Sequence, residues 1–205
     1  MSLLSSLVSI TRYTVEGRLK KPVLETVAAG LKKNAISEID DQSSEKAVGW
    51  TSFGKPYQPN FSGSDFVYGN YLVFSLRVDK KSIPPKVVKK YFMIESTRHQ
   101  AESGRLHLSR SEKQIIKDQV IDRLNLKVPA TPHVYDLIWN YEESVLWFFS
   151  SLKGSNEELE TLFLRSFDLR LIRMFPYTAA HLASDLKAAE KDVLLKISPT
   201  NFGGK

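Results

Sequence analysis

The sequence predicts an α+β protein, with antiparallel sheets, helices packed on one face, and an inserted two-helix tip. Three observations lead there. With the middle of the chain set aside, strands and helices follow in the order β-α-β-β and then β-β-α-β-α. Runs of strands closed by one covering helix suit antiparallel sheet with helices on one side. Between the two runs, from Ile83-Pro84-Pro85 to Leu126, the pattern is helical with no strand signal. The balance of 42% hydrophobic and 25% charged residues is that of an ordinary globular chain. Its 205 residues suffice for one large domain or two small ones, at roughly 100–200 residues each. Residues 1–79 and 132–195 are expected to form a central α+β domain, residues 80–131 an inserted basic helical tip, and residues 196–205 a tail. The two halves look loosely like mirrored copies, without a sequence repeat.

Residues 4–17 alternate and are rich in β-branched side chains, which predicts a strand. Pro22 opens a helical pattern in its first turn; Val23, Val27 and Leu31 are spaced four apart, and Lys32 and Lys33 suit the last turn. A polar stretch leads to a short strand at residues 47–53, and residues 54–65, rich in Gly, Pro and Ser, read as a loop. Residues 68–81 contain the clearest strand, where Leu72, Phe74, Leu76 and Val78 alternate with Val73, Ser75 and Arg77. In the insert, a helix over residues 85–102 stops near Gly104. A second begins at Ser109, where Ser109 and Glu112 fit a capping box: the serine satisfies a free backbone N–H and the glutamate reaches back to the cap. Its inner face carries Ile116, Val120 and Leu124, and its outer face Arg110, Lys113 and Lys117. Residues 128–132 break this helix. Two strands follow, residues 133–141 and 145–152, joined by a turn around residues 142–144. A helix opens at Gly154-Ser155 with a second capping box from Ser155 to Glu158, and its apolar face is Leu159, Leu162, Phe163 and Phe167. A strand at residues 169–175 and a helix over residues 178–191 precede the tail.

The absence of cysteine excludes a disulfide framework, thiolate zinc sites and a cysteine nucleophile, and it suits a reducing compartment. No apolar run approaches the roughly 20 residues of a membrane helix. The start, MSLLSSLVSITRY, has no basic segment before its apolar residues, so it reads as a strand and not as a signal peptide. A cytoplasmic protein without membrane contact is expected. His99, His107, His133 and His181 include no pair at a metal-ligand spacing. Asp40-Asp41 reads as part of a solvated loop and Glu142-Glu143 as a hairpin turn. No phosphate-binding glycine loop and no G-x-S-x-G occurs; Gly203-Gly204-Lys205 lies in the tail with no helix after it. Trp139, Tyr141, Trp147, Phe148 and Phe149 could stack on bases, but in alternating strands such residues read as core. The expectation is a protein that is not an enzyme and carries no cofactor or metal.

Charge is the informative feature. The chain carries a formal +6, and from Arg77 to Lys127 there are 13 Lys and Arg against 6 Asp and Glu. The remainder is close to balanced, as expected of a scaffold bearing one polyanion-binding segment. Lys80, Lys81, Lys86, Lys89 and Lys90 lead from a strand end into the first insert helix, followed by Arg98, Arg105, Arg110, Lys113 and Lys117. Cations on mobile stems attract phosphates without reading bases, which predicts sequence-indifferent, salt-sensitive DNA binding. No recognition-helix signature marks base readout.

Several motifs in collinear order carry a resemblance. They are the N-terminal strand, Gly49-Trp50, the strand ending in a basic run, Ile83-Pro-Pro-Lys-Val-Val-Lys-Lys90 and Ser111-Glu-Lys-Gln-Ile-Ile-Lys-Asp-Gln-Val120. Asp136-Leu-Ile-Trp-Asn140, Trp147-Phe-Phe149 and the helix after them complete the set. Over residues 5–178 the chain resembles the RdgC family of recombination-associated proteins. The resemblance implies a nucleoid-associated protein that binds double-stranded DNA with little sequence preference. It implies a ring-shaped homodimer with a positive hole, and antagonism of RecA through occupation of DNA. The insert corresponds to the family's protruding tip, where two subunits meet. Lys89 matches the basic position of the family's V-I-K segment, and Lys113 and Lys117 match its E-K-x-x-x-K helix.

Two departures accompany the resemblance. Family members continue into a further C-terminal part that forms a second dimer contact, so this chain reads as a shortened member, forming a closed ring, an open dimer or another assembly. The family's tip also carries an aromatic gate residue soon after the second helix, whereas Lys127-Val-Pro-Ala-Thr-Pro132 has none. The alternative reading of the same charge is a protein-interaction module whose insert docks an acidic partner. Nuclease chemistry is disfavoured, because no carboxylate cluster is visible to hold Mg2+.

Overall fold

Two long strands, β4 (Tyr71–Lys80) and β5 (Thr131–Asn140), pair antiparallel over their whole length, from Tyr71 opposite Asn140 to Lys80 opposite Thr131. The computed structural model describes residue 3, residue 5, residues 7–183 and residues 186–196. β2 (Lys46–Ser52) flanks β4, and β3 (Val67–Tyr68) adds a short pairing at the start of β4. On the far side of β5 lie β6 (Val145–Phe148), β1 (Thr11–Glu16) and β7 (Arg170–Arg173). The result is one seven-stranded antiparallel sheet in the order β2-β4-β5-β6-β1-β7, with β3 on β4. The α+β class is the one the sequence predicts.

Strand alternation decides which face is core. Leu72, Phe74, Leu76 and Val78 of β4 point with Trp50, Leu137, Trp139 and Phe148 into one apolar cluster. Two helices close it, α1 (Val23–Lys33) with Val27 and Leu31, and α4 (Lys153–Phe167) with Leu159, Leu162, Phe163 and Phe167. Trp139 meets Phe163 edge-on at 4.9 Å between ring centres, and Trp50 meets Phe74 likewise at 5.1 Å. The other face of β4 carries Val73, Ser75, Arg77 and Asp79, and it too is buried. There Arg77 donates to both Asp79 carboxylate oxygens, at 2.8 and 2.6 Å, pairs with Glu38 at 2.9 Å, and lies over the Tyr57 ring. Burial would lower the Arg77 pKa, but the bonds from Asp79 and Glu38 outweigh it and raise it. The first cation of the basic segment is therefore neutralised inside the fold.

The insert is a pair of helices, α2 (Pro85–Ser103) and α3 (Arg110–Asn125), leaving the end of β4 and returning to the start of β5. α2 ends at Gly104, whose φ of 64° is the left-handed cap geometry glycine adopts without penalty. α3 starts at the predicted capping box, with Ser109 accepting from the Glu112 N–H and Glu112 accepting from the Ser109 N–H. Ile116, Val120 and Leu124 are buried as their spacing predicts and form a small cluster with Leu108, backed by Ile83, Val87, Val88 and Phe92. No residue of α2 is itself buried.

Four local expectations differ. β1 starts at Thr11, opposite Phe148; among the described residues before it, Leu7, Val8 and Ile10 are not in a strand, and Leu7 is 86% exposed, while residues 4 and 6 lie outside the described residues. Pro22 is the N-cap of α1, in extended geometry, and not a first-turn residue. The second capping box does not form. α4 begins at Lys153, so Ser155 lies inside it, donating to the Leu152 carbonyl and sharing a hydrogen bond with Ser150. Glu158 instead pairs with Lys46 on β2. The last predicted helix is two, α5 (Pro176–Ala183) and α6 (Ala188–Lys196); residues 184–185 of that prediction lie outside the described residues, residues 186–187 are not helical, and the Glu190 carboxylate accepts from the Lys187 N–H at the start of α6. The tail from residue 197 onward lies outside the described residues.

Candidate nucleic-acid interface

Helical spacing sets the insert's cations into two stripes. On α2, Lys86, Lys89 and Lys90 lie at i, i+3 and i+4; on α3, Arg110, Lys113 and Lys117 lie at i, i+3 and i+7. All six are exposed. The stripes meet at a hollow of about 420 Å3 between the helices, lined by Lys89 from one and Lys117 from the other. Lys90 extends over the ring of its neighbour Tyr91, 5.5 Å from its centre.

The arginines have different surroundings. Arg98 donates to Glu102 at 2.8 Å and lies 3.9 Å from Glu95, while Arg105 lies 3.5 Å from Glu112. Arg123 of α3 donates to Glu95 of α2 at 2.6 Å, the ion pair that ties the two helices together. The hydrogen bond from Arg123 lowers the Glu95 pKa, and the bond to Glu102 raises that of Arg98. Glu112 is lowered chiefly by the Ser109 backbone N–H it accepts. Glu95, Glu102 and Glu112 thus occupy Arg98, Arg105 and Arg123. Among the described residues, no carboxylate lies within ion-pair distance of Lys80, Lys86, Lys89, Arg110, Lys113 or Lys117.

Adjacent lysines part company at the base of the insert. Lys80 ends β4 exposed, opposite Thr131. Lys81 turns inward to 9% exposure, where its ammonium donates to the carbonyls of Asp40 at 2.9 Å, Gln42 at 2.7 Å and Asn125 at 2.6 Å. Lys81 therefore does not belong with the outward-facing cations as the sequence reading placed it. All three protons of an ammonium are taken by backbone, so it joins the loop before β2 to the end of α3. Reading the basic run as one uniform surface missed this. The signal that could have found it is the strand alternation of β4, continued one residue past its end.

Asp40 is the second residue the sequence reading undervalued. Its side chain accepts from the Ala130 N–H at 2.8 Å, holding the chain as it re-enters the sheet. A carboxylate in a polar connector gives no local sign of a partner ninety residues away.

The aromatics divide by face. Trp139 and Phe148 are core, as expected. Trp147 lies on the opposite face, beside Tyr71 at 6.1 Å between ring centres. Among the described residues, no group of three or more His, Cys, Asp or Glu is placed to hold a metal ion, and no helix is long and apolar enough to cross a membrane.

Comparison with known proteins places residues 9–187 in the family model described as "RdgC: Putative exonuclease, RdgC". No curated protein matches the chain.

Proposed function

This chain belongs to the RdgC family, and from that premise we propose that it binds double-stranded DNA without reading its sequence, through the cations of α2 and α3. Membership of the family fits a recombination-related role. The observation that carries the finer reading is the set of exposed cations free of carboxylates, arranged in two stripes that meet at Lys89 and Lys117. Lysines on mobile stems suit phosphates, and nothing in their arrangement provides the rigid forks that read base edges. The DNA-bound form is nucleoid-associated in the cytoplasm and antagonises RecA by occupying duplex. The assembly is a homodimer in which the tips meet; the exposed apolar residues Met93, Ile94 and Leu106 support that contact.

The test is fluorescence anisotropy with two duplexes of unrelated sequence at rising salt. Equal affinities and a log–log slope of up to about −5 are expected if all six cations meet phosphates. A flat salt response, or strong preference for one duplex, overturns the proposal. The function is binding without catalysis. Because the family's description names an exonuclease, prolonged incubation of end-labelled duplex with Mg2+ and Mn2+ is the companion measurement, and release of labelled nucleotide overturns it.

A further inference from the structure

We infer that the hollow between α2 and α3 is a docking site for an acidic peptide bearing one large apolar anchor residue. Its floor is Ile83, Val88, Phe92 and Ile121, and Lys89 and Lys117 stand on its rim. At about 420 Å3 it falls within the roughly 300–1,000 Å3 of ligand-binding hollows. Water has no polar partner on such a floor, and α2 brings no fully buried residue to close it.

Floor and rim together define the occupant. Duplex DNA satisfies the two ammonium groups but offers nothing to an aromatic and aliphatic floor. An acidic peptide satisfies both: an aromatic or leucine side chain fills the hollow, and carboxylates on either side meet Lys89 and Lys117. Lys86, Lys90 and Lys113 continue the cationic surround, so a segment with several acids is complementary over its length. Peptide and duplex then compete for Lys89 and Lys117, and this exclusion alone rests on the DNA reading above.

The experiment uses the full chain without DNA. The probe is a fluorescein-labelled oligo-aspartate peptide with a single central phenylalanine, compared with the same peptide carrying alanine there. The phenylalanine peptide is expected to bind saturably, about tenfold or more tighter than the alanine peptide. Ile121→Asp should abolish that preference, and Lys117→Glu, at an exposed position where folding is not at stake, should weaken binding about tenfold. Equal affinity for the two peptides, or no saturable binding, overturns the inference. So does unchanged affinity in Lys117→Glu, or a single-stranded oligonucleotide that displaces the peptide and is itself lost in Ile121→Asp. A dimer that becomes monomeric in Ile121→Asp, in a chain that never bound peptide, assigns the hollow to a second copy instead. Loss of duplex binding with peptide binding intact refutes only the DNA reading; the reverse refutes only this one.

Discussion

The Lys81 ammonium donates to the Asn125 carbonyl at 2.6 Å, joining the residue after β4 to the last residue of α3. Its neighbour Lys80 is exposed. The two lysines therefore predict opposite phenotypes.

Lys81→Met should lower stability by roughly 2–3 kcal/mol, since three carbonyls lose their donor in a largely buried place. Lys80→Met should stay within about 0.5 kcal/mol of the parent, as surface changes do. Urea unfolding of the two variants checks this. Equal midpoints would mean that the buried ammonium contributes nothing to the base of the insert.

Lys113→Ala should weaken binding to every duplex alike and make the salt slope shallower by about 1, the share of one phosphate contact. Arg98→Ala, which removes a cation already paired with Glu102, should change the slope less. Anisotropy titrations at several salt concentrations give both slopes.

The start of α3 carries a pH dependence. Glu112 is held below its ordinary value by the Ser109 N–H, so it binds a proton less readily folded than unfolded. Its contribution to stability is complete above the ordinary glutamate pKa of about 4.3 and is lost as pH falls through the lowered folded value. Melting temperature followed downward from neutral pH should drop more steeply in the parent than in Glu112→Gln. Ser109→Ala should cost about 1 kcal/mol at neutral pH, the usual consequence of losing an N-cap.

Gly49 lies where another backbone passes closely. A Cβ there would stand 2.5 Å from the backbone N and Cα of Ile36, and Ile36 donates its N–H to the Trp50 carbonyl. Gly49→Ala should destabilise by roughly 1–3 kcal/mol, as overpacking against backbone does. A midpoint matching the parent would show that residues 34–36 can lift away from β2 at no cost.

What was legible in the chain was local. The Ser109–Glu112 box, the stop at Gly104 and the inward face of Ile116, Val120 and Leu124 follow from residues within one or two turns of each other. The same box pattern misled at Ser155 because α4 begins two residues earlier, at Lys153, which puts Ser155 inside the helix with Ser150 and the Leu152 carbonyl as its partners. Strand order β2-β4-β5-β6-β1-β7 is non-local; periodicity says which side of a strand is apolar and nothing about which strand lies beside it. The outward cations were legible for the reason the helices were, whereas Lys81 and Asp40 were not. Their partners are backbone groups 39 to 90 positions away in the chain.

Lys80 and Thr131 sit directly opposite each other in the β4–β5 ladder. The chain thus departs from the sheet and rejoins it at one rung, and everything between is an excursion that the ladder does not need for its register. A two-residue turn at that rung would complete a plain β-hairpin. The scaffold can in principle exchange one tip for another by cassette replacement, keeping its core while its surface chemistry changes.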